Sequence, residues 1–369
     1  NWLVTENTFG STVAADKLGF RGMLIGNAQN FIVSKNMING VVSSSSSSST
    51  MSGIQVALLV SGGLISQNKI SDIKQINTVG WGSNGIFLAA SSTASNLTVA
   101  NNFVFDVASY GYNSGTTQSD NGYGIMVNAG GDYKIYFNSV LMATDQTNGG
   151  IPAAINIASG IAAGAVDLRN NIFANTQTLG TRYVIYSAAP ATAYSAINYN
   201  DYYPGTGVTL GYLGAAQATL AAWQTATGQD ANSISADPLF VSTTDLHITG
   251  PASPVSNAAT VIPGVTIDID GDTRSTVSPD IGADEFLPLA VTLASFTALG
   301  GADRITVDWL TVSEYDNAGF NLYRADSDAG PQTLLATIPS QGPGSTQGYA
   351  YSYDDLAVQP GQTWYYWLE

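Results

Sequence analysis

The sequence predicts an all-β protein: a parallel β-helix of at least seven coils, followed by a partial β-sandwich. Three observations lead to this prediction. A short motif centred on asparagine recurs seven times, a strand-like segment precedes most copies, and the regularity ends near residue 205. Internal repeats of roughly 20–50 residues are typical of stacked supersecondary units rather than of a single globular core.

Each copy of the motif has an aliphatic residue, two variable positions, asparagine, one variable position and a large apolar residue. The seven copies are Val4…Asn7…Phe9, Val33…Asn36…Ile38, Ile65…Asn68…Ile70, Val99…Asn102…Val104, Ile135…Asn138…Val140, Leu168…Asn171…Phe173 and Ile197…Asn200…Tyr202. Successive asparagines are 29, 32, 34, 36, 33 and 29 residues apart. Equivalent coils joined by loops of different length explain this variation.

The spacing within the motif predicts a bend at the asparagine. Residues on one side of a strand are two positions apart, whereas the aliphatic residue and the asparagine are three positions apart. Asparagine tolerates left-handed backbone conformations and bonds to nearby backbone groups. At one corner of coils stacked about 4.8 Å apart, the seven amides are expected to bond one another as an asparagine ladder.

A second strand is predicted before each corner. The segments are short and apolar, and several begin with glycine: 22–25, 53–56, 85–88, 124–127, 154–157 and 184–186. A third strand is expected after each asparagine. Because no long amphipathic helix separates these strands, a βαβ fold is disfavoured.

These repeats resemble those of right-handed parallel β-helix proteins, the architecture shared by pectate lyases, polygalacturonases and many bacterial surface proteins. The resemblance covers residues 1–287 and implies a right-handed coil. It implies no particular activity, because one fold hosts many functions.

The segment 205–287 departs from the repeat and is expected to cap the last coil, which would otherwise expose backbone edges and core. Its one convincing helical stretch is 215–227, followed by Gly228 as a C-cap. Its motifs are similar to the C-terminal ends of secreted bacterial β-helix proteins: Asp237-Pro238-Leu239-Phe240, Asp268-Ile269-Asp270-Gly271-Asp272 and Pro279-Asp280-Ile281-Gly282.

Residues 288–369 resemble the fibronectin type III-like modules that follow β-helices in large exported bacterial proteins. The markers are Val307-Asp308-Trp309, Asn317-Ala318-Gly319-Phe320 and Leu322-Tyr323-Arg324. A late strand is expected at 364–368, and the sandwich is predicted to be incomplete because no further strand follows. Truncation is the simpler explanation, and a strand supplied by another chain is the alternative.

Composition limits the partners of the protein. Acidic residues outnumber basic ones by 27 to 11, so nucleic acid and anionic membrane surfaces are disfavoured as partners. No apolar run of about 18 residues is present that could cross a bilayer. A zinc site is not expected, because one histidine and no cysteine leave too few suitable ligands. Without an initiator methionine or signal peptide, the chain is interpreted as a segment of a longer or processed precursor.

A cluster of aspartates in the cap region is a candidate calcium site. Asp268, Asp270 and Asp272 could bind calcium through carboxylate oxygens. Gly271 comes too early for an EF-hand loop, and Arg274 could neutralise the cluster instead. No other cofactor is expected.

A second candidate site would act on polysaccharide. Elimination of the pectate lyase type needs calcium held by carboxylates and a basic residue, and the nearest match is Asp132, Lys134, Asp167 and Arg169. Lys134 and Asp167 each stand four residues before their asparagine, so they are expected to stack on adjacent coils. A surface ion-pair ladder is the simpler interpretation of this set.

Two other kinds of catalysis are weighed and disfavoured. Glycoside hydrolysis needs clustered carboxylates, whereas the candidates are scattered: Asp72, Asp106, Asp120, Asp132, Asp145 and Asp167. A Ser-His-Asp triad would require His247, whose Asp-Leu-His-Ile context favours a structural role.

We therefore expect a non-catalytic extracellular protein: an adhesin, or a building block of a surface layer, sheath or filament. Its expected partners are copies of itself, other surface proteins or glycans. The alternative is a β-helix enzyme that binds or cleaves polysaccharide.

Overall fold

Three parallel sheets run along the N-terminal part of the protein, and each coil of chain contributes one strand to each sheet. The structure is a computed structural model that describes residues 2–46, 50–79, 81–110, 121–146, 150–286, 291–314, 317–342, 345 and 347–369. The chain divides into two compact units, Asn1–Phe286 and Leu287–Glu369. Within the described ranges, no helix is long and apolar enough to span a membrane.

In the described residues, seven coils each contribute one parallel strand to each of the three sheets of the N-terminal unit. Sheet A consists of Leu3–Thr5, Ile32–Ser34, Leu64–Ser66, Leu97–Ala100, Tyr133–Tyr136, Val166–Arg169 and Tyr194–Asn198. Sheet B consists of Thr8–Phe9, Met37–Ser43, Lys69–Gln75, Phe103–Phe105, Ser139–Met142, Ile172–Asn175 and Asp201–Pro204. Sheet C consists of Arg21–Ile25, Met51–Leu58, Ser83–Ala90, Gly122–Ala129, Ala153–Ile157, Tyr183–Ser187 and Thr209–Leu213. The predicted parallel β-helix, with its third strand after each asparagine, is confirmed.

Smaller elements complete this unit. Val107–Ser109 also joins sheet B, and Ala28–Gln29 pairs with Val60–Ser61. The other elements in the described residues of this unit are the 3-10 helices Ala14–Asp16 and Ala191–Ala193, the strand Ala215–Gln217, the α-helix Leu220–Thr227 and the antiparallel strands Phe240–Ser242 and Asp245–Ile248.

The core lies inside the coils and is built by register. The aliphatic residues of the motif are paired between neighbouring strands of sheet A, as Val33 is with Ile65 and Val99 with Ile135. All four side chains are fully buried. Because burying one such side chain contributes about 1.5–3 kcal/mol, each added coil brings its own share of the core.

A column of glycines allows sheet C to approach sheet B closely. Gly22, Gly53, Gly85 and Gly124 occupy equivalent positions in successive coils. A methyl group on Gly85 would lie 2.2 Å from Cγ1 of Val104 and 2.6 Å from the carbonyl oxygen of Gly124. The glycines that begin the predicted strands are therefore required by packing.

We expected the asparagine to be the left-handed residue at each corner. In the structure, the residue before the asparagine has the left-handed conformation instead. These residues have φ between 52° and 62° and are Glu6, Lys35, Gln67, Asn101, Phe137, Asn170 and Tyr199. Their variety shows that the corner tolerates many side chains. The asparagine is instead required for the hydrogen bonds of its amide.

The predicted helix at 215–227 is shorter than expected. Ala215–Gln217 forms a strand antiparallel to Thr209–Leu213, because Gly214 has φ of 69° and turns the chain between them. The helix begins after Thr219, whose hydroxyl accepts a hydrogen bond from the amide of Ala222 at 3.2 Å. A hydroxyl at this position stabilises a helix start.

The last part of the N-terminal unit contacts several coils and not only the final one. Residues 249–286, which we call the return segment, run back beside the corner between sheets A and B. The side-chain amide of Gln67 donates to the carbonyl of Asp268 at 2.7 Å, and that of Asn170 donates to the carbonyl of Thr260 at 2.7 Å. The left-handed corner residues thus provide the docking groups for this segment.

The C-terminal unit contains two antiparallel sheets of three strands each. One sheet consists of Thr292–Gly300, Ile305–Ser313 and Ala350–Asp355, and the other of Thr333–Pro339, Gly319–Ala325 and Tyr365–Leu368. They share a core in which the rings of Trp309 and Tyr351 are stacked at 5.1 Å between centroids. This agrees with the predicted partial β-sandwich, with the late strand beginning at Tyr365.

Candidate functional site

The asparagine ladder is continuous through all seven coils. Each Nδ2 donates to Oδ1 of the next asparagine at 2.8–3.1 Å, in the order Asn7, Asn36, Asn68, Asn102, Asn138, Asn171 and Asn200. The same oxygen accepts the backbone N–H of the preceding asparagine at 3.0–3.2 Å. From the second asparagine onward, Nδ2 also donates to the carbonyl of the motif's aliphatic residue one coil back. The spacing of three positions between the aliphatic residue and the asparagine therefore fits this pattern of hydrogen bonds between coils.

The ladder ends in a buried polar cluster. The backbone N–H of Asn200 donates to the hydroxyl of Ser233 at 2.7 Å, and this hydroxyl also bonds Asp230. Asp230 accepts hydrogen bonds from Tyr202 and Trp223, each at 2.7 Å. Burial raises the pKa of Asp230 despite these donors.

The structure brings together Asp167 and Arg169 of the predicted polysaccharide site. The guanidinium of Arg169 donates to Asp167 from Nε at 2.7 Å and from Nη2 at 2.6 Å, and Nη2 also donates to the hydroxyl of Tyr136 at 3.3 Å. The hydroxyl of Tyr136 donates to the same carboxylate at 2.6 Å. The hydrogen bond to Asp167 raises the pKa of Arg169, and burial with the neighbouring carboxylate raises that of Tyr136 to about 12. Neither group is suited to accept a proton near neutral pH.

The other two predicted residues form a separate pair. Lys134 lies 3.2 Å from Asp132 and donates to Oδ1 of Asn96 at 2.6 Å. The strand register places Lys134 beside Asp167, as the motif spacing predicts. The four charges thus form two ion pairs on adjacent coils.

The remaining carboxylates considered for glycoside hydrolysis also have partners. Lys74 lies 3.1 Å from Asp72 and 2.7 Å from Asp106. Asp145 accepts hydrogen bonds from the amide and hydroxyl of Thr178. Asp120 lies outside the described residues. Each described carboxylate of this set is therefore bound by a lysine or by a hydroxyl and amide.

A cleft of about 420 Å³ lies beside Arg169. Its polar lining includes Asn198 and Gln229. Oδ1 of Asn198 accepts the amide of Asn232 at 2.8 Å, and Oε1 of Gln229 accepts that of Ile197 at 3.3 Å. These side chains help to hold the last coil.

Two aromatic rings form a flat patch on sheet C. The rings of Tyr186 and Tyr212 are stacked at 4.5 Å between centroids with an interplanar angle of 7°. Both residues are partly exposed, and the edge of Tyr183 packs against each ring. Tyrosine is enriched in protein contacts, because its ring combines a large apolar surface with a polar hydroxyl.

The three aspartates predicted to bind calcium have different surroundings. Oδ1 of Asp268 accepts the backbone amides of Asp270, Gly271 and Asp272 at 2.8–2.9 Å, and Oδ2 accepts that of Glu285 at 3.1 Å. Asp270 is directed to His247. Asp268 is therefore committed to shaping the turn.

A different group on this face could hold a metal ion. In the described part of the chain, the one set of three or more His, Cys, Asp or Glu ligand atoms lying within 4.8 Å of one another comes from His247, Asp270 and Asp284. Our sequence reasoning did not find this set. The alternation of Asp245 and His247 places both on one side of a strand, but nothing in the sequence predicts that Asp284 lies beside them.

No protein-family model, curated protein or solved structure matches this chain.

Proposed function

We propose that this protein is a non-catalytic extracellular component of a surface layer, sheath or filament, or an adhesin, that binds copies of itself, other surface proteins or glycans. Its N-terminal unit is proposed to be a right-handed β-helix of the pectate lyase-like superfamily. Its C-terminal unit is proposed to be a fibronectin type III-like module.

The main support is the way in which charge is used on the coils. Asp167 binds Arg169, and Lys74 binds two aspartates. These ion pairs join neighbouring coils or neutralise side chains on one strand, and so they serve the stack itself. Only 10% of residues are charged, and several large apolar side chains of the coils are exposed, among them Leu24, Leu58 and Leu59.

The enzymatic alternative is weakened by the state of Arg169. A base for elimination must be able to lose its proton near the working pH. The hydrogen bond to Asp167 raises the pKa of Arg169 above its already high value. Lys134 is paired with Asp132 and does not converge with Arg169 on a common acceptor.

Strand order supports the proposal for the C-terminal unit. Counting the six described strands in chain order, the first, second and fifth form one sheet, and the fourth, third and sixth form the other. A sandwich of the immunoglobulin type divides its strands between two sheets in a similar way, around a buried tryptophan. Trp309 is the corresponding buried tryptophan here, with 1% of its surface exposed, although it lies on the second strand and not on the third.

The proposal is tested with the full chain in three assays. Sedimentation velocity at increasing concentration measures self-association. A glycan panel measures binding, and release of reducing or unsaturated ends from polygalacturonate and neutral polysaccharides, with calcium present, measures cleavage. Tyr212→Ser, which removes one of the two stacked rings of sheet C, is compared with wild type for self-association and for glycan binding.

We expect self-association or glycan binding without product release. In Tyr212→Ser, the same association or glycan binding should be weaker. Product release that disappears in Asp167→Asn would overturn the proposal in favour of the enzymatic alternative. Absence of both association and glycan binding would also overturn it.

A further inference from the structure

His247 lies where three parts of the N-terminal unit meet. It is carried by the strand Asp245–Ile248, and it faces Asp270 of the turn that Asp268 shapes and Asp284 near the end of the return segment. The ring packs edge-on against Phe103 of sheet B at 4.9 Å between centroids. Its position is thus set by the coils as well as by the return segment.

The two ring nitrogens of His247 have different partners. Nδ1 bonds Oδ1 of Asp245, two residues earlier on the same strand. Nε2 points to Oδ2 of Asp270 at 2.6 Å. When Nδ1 carries the proton, Asp245 fixes that tautomer and the lone pair of Nε2 faces the two other carboxylates. A carboxylate that orients a ligating histidine in this way is a regular feature of metal sites.

Asp284 adds a buried carboxylate to this group. It is 8% exposed, and one of its oxygens accepts the amide of Ile248 at 2.9 Å. Nearby Asp270 and Asp268 add negative charge, and the ammonium of Lys69, whose side chain is 42% exposed, lies 3.7 Å from Oδ1 of Asp270. The cluster therefore has an excess of negative charge directed toward one point.

We infer that His247, Asp270 and Asp284 form a binding site for a divalent transition metal, of the zinc or manganese class. One imidazole nitrogen with two carboxylates suits these ions, whereas calcium prefers six to eight oxygen ligands. Three protein ligands leave a coordination position for water. The ion would join the strand that carries His247 to the turn at Asp270 and to Asp284 near the end of the return segment, beside Phe103 of sheet B.

The competing occupant of this site is a proton. A doubly protonated His247 would donate to both Asp245 and Asp270, and these hydrogen bonds raise the pKa of the imidazole although burial opposes the shift. The two occupants make opposite predictions for metal titration.

The experiment uses the untagged full chain, stripped of metal with EDTA. Zinc, manganese and calcium chloride are titrated separately by calorimetry at neutral pH. The imidazole carbon-bound protons are followed by NMR during the zinc titration. Because the chain has one histidine and no cysteine, a zinc-dependent imidazole shift reports this site alone.

We expect one zinc or manganese ion per chain, at least tenfold weaker calcium binding, and a metal-dependent rise in melting temperature. His247→Gln and Asp270→Asn should each weaken zinc binding at least tenfold, and Asp245→Asn should weaken it by about 10–100-fold through loss of the orienting bond. Asp272→Asn is the matched control on the same turn and should bind like wild type.

Asp284→Asn replaces a buried carboxylate and can unfold the chain. Asp270→Asn is therefore the main test, because Asp270 is partly exposed and this variant is expected to fold. The inference is overturned by zinc binding that is equal in wild type and His247→Gln. It is also overturned by an imidazole signal that titrates with pH but does not respond to zinc.

Discussion

Arg274 and Glu285 form an ion pair of 3.1 Å whose side chains are only 2% and 5% exposed. Arg274 also donates to Oδ1 of Asn101 at 2.9 Å and lies 4.1 Å from the ring centre of Phe137. This pair joins the return segment to two left-handed corner residues of the coils.

Removing one member of this pair is expected to destabilise the N-terminal unit strongly. Glu285→Gln leaves the guanidinium buried without its counter-charge, and such losses cost about 3–5 kcal/mol. The measurement is chemical unfolding of the full chain, followed by tryptophan fluorescence and circular dichroism. Lys134→Ala, which breaks the exposed pair with Asp132, is the control and should cost less than about 1 kcal/mol.

The asparagine ladder should be most sensitive in its middle. Asn138 is fully buried, and its Nδ2 donates to Asn171 and to the carbonyl of Val99. Asn138→Ala leaves several of these buried groups without partners, so we expect a loss of about 3–5 kcal/mol. Asn7→Ala, at the exposed end of the same ladder, should cost about 1 kcal/mol or less in the same unfolding assay. Equal losses for the two variants would contradict this view of the ladder.

The glycine column predicts a steric limit on sheet C. Gly85→Ala places a methyl group against Val104 and the backbone of Gly124, so a destabilisation of at least about 2 kcal/mol is expected. Gly160→Ala is the control, because a methyl group there meets no atom within 4 Å. Melting temperatures of the two variants measure the difference, and a shift of similar size in both would argue against close packing at Gly85.

Stability should depend on pH through Asp280. Burial raises the pKa of Asp280 from 3.8 to about 6, and the charge of Glu285 adds to the shift. Because the folded-state pKa is the higher one, the stabilising contribution is complete below pH 3.8 and is lost as pH rises through about 6. Relative to Asp280→Asn, wild type should therefore gain on the order of 2–3 kcal/mol between pH 7 and pH 4. Denaturant unfolding of both proteins across this range measures the gain, and a difference that does not vary with pH would refute the assignment.

Residues that occupy the same position in every coil could be predicted from the sequence. Residues whose contacts are made at one place only could not. Each ladder asparagine has the same neighbours in every coil, so seven copies of one pattern indicated both the strands and the hydrogen bonds. The contact between Gln67 and Asp268 joins residues 201 positions apart and occurs once. No periodicity marks such a contact. Arg274 illustrates the consequence, because its nearness in sequence to Asp272 indicated a partner, whereas the buried partner is Glu285.

The closed end of the ladder limits how copies of this protein could form a fibre. Where an eighth asparagine would receive the bond from Asn200, the hydroxyl of Ser233 takes its place, and Trp223 covers the last core residues. The edge of Thr209–Leu213 is likewise already paired with Ala215–Gln217. Growth by adding coils at this end would require Ser233, Trp223 and the strand Ala215–Gln217 to leave their places. An incoming copy would therefore find neither a free edge of sheet C nor an open ladder bond at this end of the stack.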